Sequence, residues 1–328
     1  MVLFWVFVLA LSTLLYVLLD GFDLGVGILF GLTRDEARRR AMLSAVAPVW
    51  DGNETWLVVA GVVLWGAFPI VYAPLFSAFY LPLLLMLAGL ILRGVAFEFR
   101  YKTERMRWIW DTAFTGGSLV AAFIQGLTVG ALVEGLPISN GHYAGGEFGW
   151  LSPFAVLCGV GLCLGYALLG ACWLVRKCEA DVRDAAYRFI PGLSLGLLVF
   201  LVVVFVYALA EHLRVMDRWL ERPYLLVFPV IGAVAALVLA ASVRDRRDGA
   251  PFPMVVLMFV AAFGTLAISF WPYMIPYSLT IDQAAAPHSS LAFMFWGEGL
   301  FVLPLMLVYT VISYSVFRGK VRPTSQHY

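Results

Sequence analysis

Charge is scarce in this chain. Of 328 residues only 13% are Asp, Glu, Lys or Arg, while 62% are hydrophobic. Soluble domains carry about a quarter charged residues and about half apolar ones, so a water-soluble globule is excluded. Cysteine is nearly absent. Cys158, Cys163, Cys172 and Cys178 fall in or beside one apolar stretch with no C-x-x-C spacing, which gives neither a disulfide framework nor a metal site. Histidine is equally rare. His142, His212, His288 and His327 all fall in loops, at helix ends or in the tail, so no mid-membrane imidazole is offered to a haem iron. Nucleotide-binding glycine motifs and the zinc-protease signature are missing. With a net charge of +1 and basic residues spread over loops, nucleic acid is not an expected partner. No cleavable leader is evident, because the opening segment lacks a positive n-region and its apolar run is too long.

What the chain has is apolar runs, each long enough to cross about 30 Å of hydrocarbon. They predict an all-α integral membrane protein of about nine transmembrane helices. The expected spans are 3–31, 45–66, 73–96, 112–134, 153–175, 190–212, 224–243, 252–275 and 290–317, forming one polytopic domain over 1–317. Residues 318–328 form a loose cytoplasmic tail. Trp5, Trp65, Trp108, Trp110, Trp150 and Trp271 fall near span ends, as interfacial anchors do. Of the 22 basic residues, 18 fall in alternate loops and the tail, against three on the other side. The positive-inside rule then puts the N-terminus outside and the C-terminus in the cytoplasm. The loops 135–152 and 276–290 are too short to fold alone, and no internal repeat is visible.

Polar residues inside the apolar runs are the exceptions that need explaining. In "LLDGFDLGVGILFG" Asp20 and Asp23 are three apart, on one helical face. Gly21 and Gly25, and Gly27 and Gly31, make two small-xxx-small pairs that permit close helix approach. In "VAPVWDGNETWLVVAG" Asp51 and Glu54 repeat the spacing with Asn53 between them. Four carboxylates at such depth cannot all be charged and unpaired, since burial favours the protonated form. Two readings stay open: a proton-entry path, or a hydrogen-bonded cluster holding the first two helices together. Further along, Arg93, Glu98 and Arg100 read as an interfacial ion-pair set with snorkelling stems. Glu298, between two glycines in the last span, is a candidate contact for a partner or cavity. Helices four to eight are almost bare of intramembrane charge. That asymmetry fits a docking subunit better than a proton-coupled secondary transporter, the main rival, whose site needs polar breaks in both halves. A purely structural subunit is the third reading.

The strings "DGFDLGVG" and "APVWDGNETWL", followed by "FSAFYLPLLLMLAGLILRGVAFEFR", resemble the signature segments of subunit II of the cytochrome bd-type quinol oxidases, including the cyanide-insensitive variants. The resemblance is strongest over residues 17–112, with "WPYMIPYSLTIDQAA" as a further similarity. It implies a multi-pass protein of the bacterial inner membrane, in a respiratory complex that oxidises quinol and reduces dioxygen. The haems, two b-type and a d-type or b-type throughout, would belong to subunit I. This chain alone would bind none, and some relatives hold a structural quinone in subunit II. Subunit I is the implied partner, with small single-helix subunits as further candidates. The resemblance assigns proton conduction to Asp51, with Asp20 and Asp23 facing it; Glu54 is less well supported, because some relatives carry a neutral residue there.

Overall fold

The computed structural model describes residues 1–103, 105–221 and 223–321. Among the described residues eight helices are long and apolar enough to cross a membrane. The first, α1 (Val2–Phe30), is central. From Asp20 to Gly27 every residue is buried, because α3 (Trp50–Ala67), α6 (Arg107–Glu134) and α7 (Pro153–Lys177) pack round it. Its glycines permit this. A Cβ on Gly25 would lie 1.7 Å from the Tyr166 carbonyl oxygen, and one on Gly27 would lie 2.1 Å from the Ser118 hydroxyl. The Gly21/Gly25 pair thus meets α7, and the Gly27/Gly31 pair meets α6 at Ser118 and Thr115.

The expected second span, 45–66, divides. A short helix α2 (Glu36–Val46) starts at Asp35, whose side chain accepts from the Arg38 N–H at 2.9 Å. It stops before Pro48, because a proline disfavours helical geometry in the residue preceding it. Only α3 continues inward, and it is 18 residues long with three polar groups at its start. The third expected span begins instead as α4 (Pro69–Ala78), then breaks at Phe79 before α5 (Tyr80–Phe99). Pro82 supplies the reason: it has no N–H for the Ala78 carbonyl, and its ring crowds that carbonyl.

The remaining helices are α8 (Ala180–Ala210), the short α9 (Arg214–Glu221), α10 (Val227–Arg244) and α11 (Pro251–Phe270). After the single turn α12 (Ile281–Ala284), the last span runs as α13 (His288–Met294), a π-helical stretch Phe295–Val302, and α14 (Leu303–Val316). Pro304 has no N–H to offer the Leu300 carbonyl, and the widened turns absorb the mismatch. The loop 135–152 carries a short hairpin, β1 (Ile138–Ser139) with β2 (His142–Tyr143), and a second, β3 (Tyr273–Ile275) with β4 (Leu279–Thr280), takes up the end of the expected span 252–275 and the start of the loop after it. Trp5 is no lipid-facing anchor. It is fully buried, and its indole N–H donates to the Leu291 carbonyl at 3.1 Å. The start of the tail is not loose either. Lys177 donates to the Phe317 and Gly319 carbonyls, and the Val321 N–H returns to the Lys177 carbonyl at 2.8 Å. Residues 322–328 lie outside the described residues.

Candidate functional site: a buried carboxylate cluster

The bundle gathers its intramembrane carboxylates and their partners in two adjacent groups. In the first, Arg93 of α5 reaches between α1 and α3. One guanidinium nitrogen, Nη2, lies 2.7 Å from Asp20 Oδ1 and also donates to Glu54 Oε1. The Arg93 side chain is 3% exposed, Asp20 is fully buried and Glu54 is 27% exposed, so this ion pair lies inside the chain rather than on its rim. Tyr16, one turn before Asp20, holds its hydroxyl within reach of that carboxylate. The same hydroxyl accepts from Gln125 Nε2 at 2.8 Å, and Tyr166 donates to Gln125 Oε1 at 2.7 Å. A line of polar groups thus crosses from α7 through α6 to α1, α5 and α3.

The second group centres on Asp23. Asn53 Nδ2 donates to Asp23 Oδ2 at 2.7 Å, while Asn53 Oδ1 accepts from the Tyr314 hydroxyl at 2.9 Å. Between the groups lies a cavity of about 10 Å³ lined by Asp23, Val46, Trp50, Arg93, Phe97 and Phe114. Asp23 Oδ1 and the Arg93 Nε and Nη1 atoms are buried without a hydrogen-bond partner among the described residues.

Asp51 does not join them. Expected to face Asp20 and Asp23, it is exposed on the outer surface of α3. The reason is helical rotation: two residues advance the helix by about 200°, so when Asn53 points inward Asp51 points away. Asn53 and Glu54, not Asp51, complete the buried set. Arg93, Glu98 and Arg100 do not form one interfacial set either. Arg93 belongs to the buried cluster, Glu98 is exposed, and Arg100 is buried in a separate network at the basic end of the bundle. There Arg100 Nε lies 2.5 Å from Asp111 Oδ1, and its Nη2 lies 2.8 Å from Glu36 Oε2. Arg39 meets the other Asp111 oxygen at 2.6 Å. The Arg39 and Arg100 guanidinium carbons stand 4.9 and 5.3 Å from the centre of the buried Phe30 ring. Burial raises the affinity of Glu36 for a proton, but hydrogen bonds and charge from Arg100, with Arg107 and Arg40 nearby, outweigh it and hold the carboxyl below its usual range.

Glu298 lies on the π-helical stretch, half-buried beside a second cavity of about 10 Å³ lined by Trp5, Val8, Val59, Val302, Leu303 and Met306. Among the described residues no other acid or base lines that cavity. Tyr16, Gln125, Tyr166, Tyr314, Glu36, Arg39 and Asp111 are site members that sequence reasoning did not single out. One signal was available: a glutamine in mid-helix seeks partners in hydrocarbon, and Tyr16 stands one turn from Asp20. Among the described residues no three His, Cys, Asp or Glu side chains are grouped to hold a metal. His142, His212 and His288 are exposed at the end opposite the basic network, and His327 lies outside the described residues.

Comparison with known proteins gives a consistent match over the full length. The family model for cytochrome bd terminal oxidase subunit II matches residues 1–317. A "Probable cytochrome oxidase subunit 2" of Haemophilus influenzae is 32% identical, covering 97% of this chain and 94% of that protein. The "Cytochrome bd-I ubiquinol oxidase subunit 2" of Escherichia coli K12 is 31% identical, covering 92% of this chain and 90% of its own. The fold resembles a chain of the bd oxidase from Geobacillus thermodenitrificans, with a TM-score of 0.76 at 18% identity, covering 96% of this chain and 98% of that one.

Proposed function

The chain belongs to the cytochrome bd terminal oxidase subunit II family, and from that premise we propose that its buried carboxylates carry protons from the cytoplasm toward a haem-bearing partner. As a bd-type oxidase subunit II it is part of an oxidoreductase complex in the membrane and not a self-contained transporter. Family membership also implies that the haems sit in the partner, subunit I.

One observation carries the proton reading. Asp20 and Glu54 pair with a single buried cation, Arg93, and the buried Asp23 stands beside the same guanidinium with no cation of its own among the described residues. Three carboxylates against one guanidinium leave an excess of negative charge in a low-dielectric interior, which protons must neutralise. Groups that must hold protons and stand beside a cavity can also exchange them. Asp23 stands seven residues before the end of α1, about 10 Å from the basic end. With the basic end in the cytoplasm, as the loop charges require, the cluster is reached from the side that supplies the protons for dioxygen reduction.

Asp51 takes a different place in this reading. It lies on an exposed stripe of α3 with Thr55, Val58, Val62 and Trp65. A carboxylate facing lipid is costly, and intramembrane acids face protein or water instead. This stripe is therefore the surface that subunit I covers, and Asp51 stands where a proton leaves Glu54, one turn away, for the partner. The substrates of the whole complex are quinol, ubiquinol by the naming of the Escherichia coli relative, and dioxygen. The complex resides in the bacterial inner membrane, and small single-helix subunits and a structural quinone belong to the same reading. Glu54→Gln tests it. In membranes where the oxidase assembles with normal haem content, quinol-driven oxygen consumption falls by about 10-fold or more. Full turnover in Glu54→Gln, or native proton uptake in Asp23→Asn, returns the cluster to a structural role.

A further inference from the structure

We propose that the cavity between Asp23 and Arg93 is a water site, and that its water delivers the proton to Asp23. The inference rests on the proton-path reading and specifies its entry step. The cavity holds about 10 Å³, room for roughly one water. Two of its lining residues carry complementary polar atoms: the Asp23 Oδ1 acceptor and the Arg93 Nε and Nη1 donors, all buried and without partners among the described residues. Asp23 and Arg93 are each 2% exposed. Buried polar atoms are ordinarily satisfied, and a buried water typically makes about three hydrogen bonds. One water here donates to Asp23 Oδ1 and accepts from Arg93, which fixes its orientation.

The two halves of the cluster have no direct bond between them. Arg93 holds Asp20 and Glu54, whereas Asp23 is held by Asn53, and among the described residues no hydrogen bond or ion pair joins Asp23 to Arg93. The water supplies that link. Trp50 and Phe97, whose ring centres stand 5.4 Å apart, form one wall of the cavity. Trp50 is the half-buried member of the lining, the others being buried, and it opens α3 at the basic end. The step balances without another reactant. An O–H bond of the water breaks as one forms on Asp23 Oδ1, and a proton arriving past Trp50 restores the water.

Val46, a wall residue whose side chain is apolar, gives the test. A high-resolution map of the assembled native oxidase is expected to show a peak within hydrogen-bond distance of both Asp23 Oδ1 and Arg93. Val46→Leu fills the space, removes the peak and slows proton uptake by about 10-fold, with haem content and haem reduction by quinol unchanged. Val46→Ala widens the space and keeps the peak, which leaves the site testable if Val46→Leu does not assemble. A dry cavity, in a map that resolves waters on other buried polar groups, overturns the water site even where Asp23→Asn slows uptake and the path stands. Loss of the peak in Val46→Leu with native uptake overturns the delivery role. Native uptake in Asp23→Asn removes the path itself and this step with it.

Discussion

Arg93 is the residue on which the cluster depends most, and its removal can be worked through from the geometry. At 2.7 Å from Asp20 Oδ1 and an effective dielectric of about 20, one charge pair attracts by roughly 6 kcal/mol before desolvation is counted. Much of that offsets the cost of burying the ions. What a truncation exposes is the orphaned partner, and breaking a buried pair costs about 3–5 kcal/mol. Asp20 is fully enclosed and bears the full effect, while Glu54 at 27% side-chain exposure is partly screened by solvent. Arg93→Leu is therefore expected to lower the thermal midpoint of the detergent-solubilised complex by roughly 4–7 °C. Adding Asp20→Asn to that variant removes the orphan charge and recovers most of the loss. The assay is thermal denaturation of the purified complex followed by release of subunit II. If Arg93→Leu melts within a degree of native, or the double variant melts below the single one, the ion pair does not hold the helices as described.

Gly25→Ala places a methyl 1.7 Å from the Tyr166 carbonyl oxygen, so α1 and α7 must part. Overpacking of this kind costs about 1–3 kcal/mol or more, and the yield of assembled oxidase falls. Gly61→Ala, where a Cβ meets nothing within 4 Å, leaves that yield unchanged. At the basic end, burial of Asp248 is outweighed by hydrogen bonds from Lys320 and Tyr187 and by the charges of Lys320 and Arg183, so its carboxyl lies below its usual value, as does that of Glu36. A depressed carboxylate contributes stability that is complete above its unfolded value and is lost as pH falls through its folded value. The midpoint of the native complex thus drops on acidification below the ordinary carboxylate range, and Glu36→Gln flattens that slope by about 1 kcal/mol or less, since Glu36 is a third exposed. Lys177→Ala frees the chain near Phe317 and Gly319, and limited proteolysis is expected to trim the C-terminus faster than in native protein.

The sequence made legible what local spacing controls. The i, i+3 pairing of Asp20 and Asp23 and the two glycine seams are properties of one helix, and the structure places each against a neighbour. The rotation of α3 was not legible, because it depends on which side faces α1. Asp51 and Asn53 are equally polar in the string, yet only Asn53 turns inward. Arg93 reads like a snorkelling rim residue until α1 and α3 close round it, its partners lying 39 and 73 positions earlier. The Tyr16–Gln125–Tyr166 line joins positions 109 and 41 residues apart, a juxtaposition that no periodicity encodes. The break between α4 and α5 was within reach, since Pro82 sits four residues after Ala78.

The central claim is that protons reach the partner subunit through the buried carboxylates of α1 and α3. Its most direct test is single-turnover proton uptake by the assembled oxidase in proteoliposomes, followed electrometrically after dioxygen binds to the reduced enzyme. Asp23→Asn is expected to slow the phase in which protons are taken up by about 10-fold or more, while the earlier electron transfer among the haems keeps its native rate. Identical kinetics in both phases would contradict the account and leave the cluster as a structural clamp between the helices.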